Sequence, residues 1–164
     1  MAAAKSQQET QEELNLDLKV TIRNYSNRNL GFPHKDGIGD IQIPPFGAIR
    51  LSRSEIILQA QSGNAFICGT DGAGTHAPIY IEDAPTREEL LYDDGDKKQK
   101  CYATFDLEKT FVLKSQASFE NAINDAIYTK YEKESLMHDL QKLDVDKFDY
   151  KKVRYVERHT GKEL

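Results

Sequence analysis

Alternating apolar and polar residues mark the first part of the chain as strand-forming. Residues 16–24 alternate for nine positions, which is typical of a half-buried β-strand. A turn is expected at 24–29, ahead of the residues 30–33, and shorter alternating runs at 41–43 and 48–51 predict further strands. The Pro44-Pro45 pair between the last two runs lacks amide hydrogens, so the chain is expected to bend or to follow a sheet edge there.

The middle of the chain predicts two short helices among further strands. Ser52 and Glu55 have the spacing of a capping box and predict a helix over Arg53–Gln61. The same spacing at Thr86 predicts a second helix near 87–91. The remaining apolar runs are interpreted as strands, at 65–68, 78–81, 101–107 and 110–113.

In the last third of the chain the apolar period changes from two residues to about 3.6, which predicts helices. Ser118 is the expected cap of the first helix, a second follows Lys133, and a third spans 149–159 before a Thr-Gly stop. We therefore expect an α+β protein. Its first domain, an antiparallel β-sandwich or β-barrel-like unit with short helices, covers residues 16–113, and a small helical domain covers 114–164.

Residues 1–15 hold little apolar surface and predict a flexible N-terminal arm. Two interpretations stay open for it: a terminus without a role, or an arm that threads across a neighbouring subunit. Partner contacts are expected at the end of the arm and the start of the strand domain, at Leu14 and Leu16, and in the proline turn, at Pro44, Pro45 and Phe46.

Composition and charge exclude several classes of function. No run approaches the roughly 18 to 20 apolar residues that a membrane span needs. The N-terminus lacks the positive-then-apolar order of a signal peptide, so synthesis in a cytoplasm is expected. The net charge of −5 gives no basic footprint, which argues against dedicated nucleic-acid binding.

Several motifs contain residues that could carry chemistry, but they lack the spacing of phosphate-binding loops, calcium loops or metal sites. The loop GTDGAGTH at 69–76 lacks the Lys-Ser/Thr of a phosphate-binding loop and is predicted to be a mobile surface loop. The acidic run at 93–96 lacks the register of a calcium loop. Four scattered histidines share no metal-ligand spacing: His34, His76, His138 and His159. We expect no enzyme activity, cofactor, metal or small-molecule substrate.

Two further patterns concern the cysteines and the C-terminal charges. Cys68 and Cys101 are interpreted as buried, unpaired thiols, with a single bridge as the alternative. Basic and acidic residues interleave between 139 and 158, which favours a solvated, ion-paired helix. Binding of this face to an acidic partner is the alternative.

Three segments carry a resemblance to a group of phage proteins. VTIRNYSNRNLGF at 20–32, PPFGAIRLSRSEI at 44–56 and the ending VRYVERHTGKEL resemble small structural proteins of tailed bacteriophages. The resemblance implies a non-enzymatic virion protein, most simply an auxiliary, capsid-associated head protein that binds the major capsid protein or other virion proteins. A neck or tail component is the alternative within this group. The long loops at 69–76 and 93–100 depart from the pattern.

Two other functions compete with a virion role. An acidic protein of this size also suits a host-directed regulator or inhibitor that covers a basic surface. An enzyme with a cleft assembled from dispersed residues is the third hypothesis, because such a cleft leaves little trace in the sequence.

Overall fold

Five β-strands and seven α-helices form within residues 13–164, the part of the chain that the computed structural model describes. Most of the predicted N-terminal arm lies outside these residues. The strands are β1 (Lys19–Asn24), β2 (Leu30–Pro33), β3 (Asp40–Ile43), β4 (Ala48–Ser52) and β5 (Ile79–Ile81). The helices are α1 (Arg53–Gln61), α2 (Ala65–Cys68), α3 (Ala84–Glu89), α4 (Leu107–Phe111), α5 (Gln116–Ala126), α6 (Lys130–Leu140) and α7 (Tyr150–Thr160). Two 3-10 turns lie at Tyr102–Thr104 and Val145–Lys147.

The strands form two small antiparallel sheets. In the first, β1 lies between β4 and β5, with Ile22 opposite both Ile49 and Ile81. In the second, β2 pairs with β3 as a hairpin, with Leu30 opposite Ile43. The α+β class is therefore confirmed, whereas the sandwich or barrel stays a prediction. Among the described residues, no helix is long and apolar enough to cross a membrane.

Two hydrophobic clusters make up the described core. The first combines the alternate inward residues of the strands with α1 and α2, and its fully buried members include Ile22, Ile43, Ile56, Ile67 and Ile79. The second joins the helices of the last third, and its fully buried members include Phe119, Ile123, Leu136, Leu140 and Val156. Tyr25, which directly follows β1, packs against the second cluster. The predicted division into two domains at residue 113 stays a prediction.

The strand predicted at 65–68 is wrong, because these residues form the short helix α2. The Asn64 side chain accepts a hydrogen bond from Phe66 N and caps the helix, and Gly69 ends it with a φ of 71°. A run of four apolar residues has no distinctive period, so its neighbours decide its conformation. The predicted strand at 78–81 is confirmed as β5.

The strands predicted at 101–107 and 110–113 are also wrong. Residues 102–104 form a 3-10 turn, and α4 follows with Asp106 as its cap, the carboxylate accepting from Lys109 N. Tyr102 and Phe111 are thereby buried in the helical cluster. The signal in the sequence was Asp106, an acidic N-cap in front of an apolar run.

The predicted helix starts are confirmed in part. Ser52 caps α1 as expected, and Asp149 caps α7. The cap of α5 is Ser115 and not Ser118. Helix α6 begins before Lys133, at a capping box formed by Thr129 and Glu132. Both corrections move the start of the helix by about one turn.

Buried carboxylates hold the loops of the strand region. Glu55 is 2% exposed and accepts from Lys35 N at 2.7 Å and from Gln59 Nε2 at 2.9 Å. It is therefore not available for the second half of the predicted capping box with Ser52. Burial alone would raise the pKa of Glu55, but the hydrogen bonds from Gln59 and from the 35–36 backbone outweigh it and lower the pKa.

Two aspartates also have a carboxyl pKa that burial would raise but that neighbouring donors lower. Asp83 pairs with Arg53 at 2.9 Å, and Asp93 pairs with Arg87 at 2.9 Å and accepts from Gln99 N at 2.8 Å. In both, burial opposes ionisation, and the arginine and neighbouring donors nevertheless lower the pKa of the carboxyl. The ionised forms are thus part of the folded structure.

We expect Ile123→Asp to lower the free energy of unfolding by several kcal/mol, because it places an unpaired charge in the helical cluster, where Ile123 is fully buried. Chemical denaturation measures the change. Asn121→Asp, an exposed position on the same helix, is the control and should change stability by less than about 0.5 kcal/mol. Equal effects of the two substitutions would mean that the buried face of α5 is wrong.

We also expect acid to destabilise the protein through Glu55. A carboxyl with a lowered folded pKa contributes stability that is present above its unfolded pKa and is lost as the pH falls through its folded pKa. Glu55→Gln should therefore lower the melting temperature at neutral pH and reduce its further fall between about pH 5 and pH 3. Glu88→Gln, at an exposed position, is the control that should keep the wild-type acid response. An unchanged acid response in Glu55→Gln would contradict this account.

Candidate functional site

The predicted partner-contact residues lie in two separate places. Leu14 and Leu16 precede β1, and Leu16 O accepts a hydrogen bond from Ser54 N at the start of α1. Pro44, Pro45 and Phe46 form the turn between β3 and β4 at the other end of β1. The strand between the two groups, β1, is six residues long, or roughly 20 Å at ~3.3 Å per residue. The structure therefore does not bring the five residues together, and only the turn has neighbours that form a larger site.

The proline turn is held in an unusual conformation. Pro44 and Pro45 are exposed, while Phe46 is half-buried and has a φ of 54°. This left-handed conformation is uncommon for a bulky residue and costs on the order of 1 to 3 kcal/mol. Two backbone hydrogen bonds fix it, from Phe46 N to Ser26 O at 3.1 Å and from Gly47 N to Pro44 O at 2.9 Å.

A buried asparagine connects this turn to the strands. Asn24 is fully buried, and its Nδ2 lies 2.6 Å from Arg28 O and 3.1 Å from Pro44 O. Its Oδ1 accepts from the N and Oγ atoms of Ser26, at 2.8 and 2.7 Å. The Asn24 side chain thus forms hydrogen bonds with two turns at the end of β1, because its amide group contains both donors and an acceptor.

The turn rests on α6. The Phe46 ring stacks on the imidazole of His138, with centroids 4.2 Å apart and planes inclined by 16°. The ammonium of Lys142 lies 5.8 Å from the same ring centroid. Phe46 therefore points inward to the helix, while the two prolines before it face solvent.

A second left-handed residue reaches the same helix from the glycine-rich loop. His76 has a φ of 58°, and its Nδ1 lies 2.8 Å from Glu132 Oε2. The loop itself is closed by hydrogen bonds from Thr70 N to Thr75 O at 2.9 Å and from Gly74 N to Cys68 O at 2.8 Å. The loop predicted to be mobile thus presents a histidine in a defined position.

Glu132 is fully buried and satisfied on both oxygens. Its Oε1 accepts from Tyr128 N at 3.2 Å and from Thr129 N and Oγ1, each at 2.9 Å, and its Oε2 faces His76. The carboxylate therefore serves as the helix cap of α6 and as the contact of α6 with the loop. Burying such a group without these donors would cost several kcal/mol.

Two further polar side chains of α6 contact the segment that follows β1. Ser135 Oγ donates to Tyr25 O at 2.7 Å, and Arg28 pairs with Glu134 at 3.2 Å. Glu132, Ser135 and His138 follow one another at intervals of three residues, so they line one side of the helix. The sequence analysis did not identify this polar stripe, although the Thr129 capping box in front of it was a visible signal.

A surface cavity of about 460 Å³ is lined in part by Lys142, whose ammonium also faces the Phe46 ring. It lies between the 103–108 segment and the end of α6, and Lys142 borders both the turn and the cavity. Its lining combines the apolar side chains of Phe105, Leu107 and Leu143 with the carboxylates of Asp106, Glu108 and Asp139. We call the exposed turn 44–46 together with this cavity the α6 surface.

The two cysteines and the remaining histidines are further side chains with potential reactivity among residues 13–164. Cys68 and Cys101 are buried and unpaired, as predicted, and burial raises the pKa of the Cys101 thiol, which disfavours the reactive thiolate. His34 faces Glu55 at 3.5 Å and His159 bonds to Ile127 O. Within residues 13–164, no group of three or more His, Cys, Asp or Glu side chains is placed to hold a metal ion.

Comparisons of the chain with protein-family models, with curated proteins and with solved structures found no match. The resemblance to phage structural proteins therefore stays a prediction. The proposed function is therefore argued from the geometry of the α6 surface and from the contacts that fix the proline turn.

We expect the contact between His76 and Glu132 to stabilise the fold more than a surface ion pair does. Glu132→Gln should lower the free energy of unfolding by roughly 2 to 4 kcal/mol, because it removes a buried charge that accepts four hydrogen bonds. A double-mutant cycle with His76→Phe should give a coupling energy of about 1 to 3 kcal/mol.

The matched control for this cycle is Glu134→Gln on the same helix. It breaks the pair with Arg28, whose side chain is 58% exposed, so its effect should stay below about 1 kcal/mol. A cost for Glu132→Gln no larger than for Glu134→Gln would show that the buried carboxylate does not have the proposed role.

Proposed function

We propose that the chain is a non-enzymatic structural protein of a phage virion, of the auxiliary head-protein type, that acts through protein–protein contacts. The observation that carries this proposal is the α6 surface, where Pro44 and Pro45 are exposed on a turn fixed by Asn24 and Phe46. A preformed turn loses little conformational entropy on binding, which favours a contact element.

The proposed partner is the major capsid protein or another virion protein, and the proposed location is the virion. Two of the segments that resemble phage structural proteins, 20–32 and 44–56, meet at the proline turn, because Asn24 Nδ2 lies 3.1 Å from Pro44 O. The residues behind the resemblance are thus the residues that form the contact element. A sandwich-like strand unit belongs to the same proposal, supported by the shared core of the two sheets.

The chemistry of the surface also favours contact over catalysis. The histidine and carboxylate nearest to the turn, His138 and Asp139, are engaged with Phe46 and with the hydroxyl of Tyr102. Burial raises the pKa of Tyr102, and its hydrogen bond to Asp139 raises it further, so the phenol stays protonated. Groups used in this way stabilise the surface and are poorly placed for proton transfer to a substrate.

A host-directed inhibitor is the second candidate, favoured by the acidic side chains of the cavity. Asp106, Glu108 and Asp139 outnumber Lys142 there, which suits a basic target surface. Mass spectrometry of purified phage particles separates the two functions. A stoichiometric amount in particles supports the virion role, whereas absence from particles overturns it.

We expect Pro45→Arg to lower incorporation of the protein into particles by about tenfold or more, which corresponds to ~1.4 kcal/mol. The substitution adds bulk and charge at an exposed position of the turn and should leave the melting temperature nearly unchanged. Quantitative mass spectrometry of particles complemented with each variant gives the measurement.

The matched control is Val112→Arg, which places the same side chain at another exposed apolar position, 75% accessible and outside the α6 surface. It should be incorporated like the wild type. Normal incorporation of Pro45→Arg, or equal loss for both variants, would exclude the turn as the contact element.

A further inference from the structure

The exposed face of α7 carries a cationic depression of about 400 Å³. Lys151, Arg154 and Arg158 line it together with Tyr150, and α5 contributes Gln116 and Glu120 on the other side. We call this site the α7 depression. It is a local excess of positive charge on a chain whose net charge is −5.

Two of the three cations lack internal partners. Arg154 donates to Tyr150 Oη at 2.8 Å and pairs with Glu157 at 3.0 Å. Lys151 and Arg158 form no ion pair among residues 13–164, and both are exposed. The depression can therefore accept carboxylates from another molecule without breaking existing pairs.

The cavity of the α6 surface has the complementary chemistry. Asp106, Glu108 and Asp139 line it together with three apolar residues, Phe105, Leu107 and Leu143. Tyr150, at the edge of the α7 depression, is 69% exposed, and an exposed aromatic ring that enters an apolar pocket is a typical interface anchor. The charges and the aromatic ring of the α7 depression therefore both favour a contact with the acidic cavity.

We propose that copies of this chain associate head to tail, with the α7 depression of one copy against the acidic cavity of the next. The proposal rests on the contact role proposed for the α6 surface, and it leaves the proline turn free for a virion partner. The two sites share no lining residue, so each copy can use both at once. Contacts of this heterologous kind build rings when the rotation closes and filaments when it does not.

A nucleic acid fits the α7 depression less well than a second copy. Phosphate backbones are bound by extended basic faces, whereas the depression is bounded by the carboxylates of Glu120 and Glu157. An acidic surface of limited size matches three cations better. Because the Debye length is about 8 Å at physiological ionic strength, such local patches outweigh the repulsion between the net charges.

The test is the mass of the full-length protein in solution, measured by sedimentation and light scattering. The wild type should form species larger than a dimer as its concentration rises. Its association should weaken about tenfold or more between about 0.05 and 0.5 M salt. A wild type that stays monomeric up to about 1 mM would overturn the proposal, since even a weak contact registers there.

Two double variants assign the contact to its two faces. Lys151→Gln with Arg158→Gln removes the basic face, and Asp106→Asn with Glu108→Gln removes the acidic face while keeping a side chain that can cap α4. Each variant alone should be monomeric. Their mixture should give a 1:1 complex that does not grow, because only one intact contact remains.

The charge-matched control is Lys19→Gln with Lys114→Gln, two exposed positions outside both sites. It should associate like the wild type. Association of the basic-face variant at wild-type levels would overturn the proposal. If the wild type is monomeric but Pro45→Arg still lowers incorporation into particles, the head-to-tail contact is wrong and the virion role stands.

Discussion

A buried carboxylate at the start of α6 connects the strand-rich and helical parts of this protein. Glu132 receives three hydrogen bonds from residues 128 and 129 and a fourth contact from His76, 56 positions earlier in the chain. An ionised carboxylate is stable in such a dry environment only when its donors are all present. The capping of α6, the closure of the glycine-rich loop and the packing of the two parts are therefore mutually dependent.

Two residues with strained backbone conformations also connect the strand-rich part to α6. Phe46 and His76 both have positive φ angles, and each places an aromatic ring on α6, at His138 and at Glu132 respectively. Strained residues persist only where surrounding contacts determine their conformation. The position of the proline turn thus depends on a helix far away in sequence, which explains how exposed prolines can be presented in a fixed geometry.

The charges of the molecule are distributed unevenly over its surface. Acidic side chains line the cavity beside α6, and the cations Lys151, Arg154 and Arg158 line the depression on the outer face of α7. Such an arrangement favours ordered contacts in one direction, because like surfaces repel and unlike surfaces attract. Surface charge and the preformed turn are the features on which the proposed function rests.

The sequence by itself determined the α+β class, the strands with regular alternation and several helix caps. These features follow from signals that act within a few residues, such as the side chain of Ser52 or the stop at Gly161. The sequence did not determine the secondary structure of residues 65–68 and 101–113, because short apolar runs have no distinctive period. There the packing of Ile67 and Phe111 selects helical structure. Local signals marked only parts of the candidate site, namely the proline turn 44–46 and the capping box of Thr129 and Glu132. His76 and Glu132, or Phe46 and His138, meet only through tertiary packing, because residues so far apart leave no periodic trace of their contact.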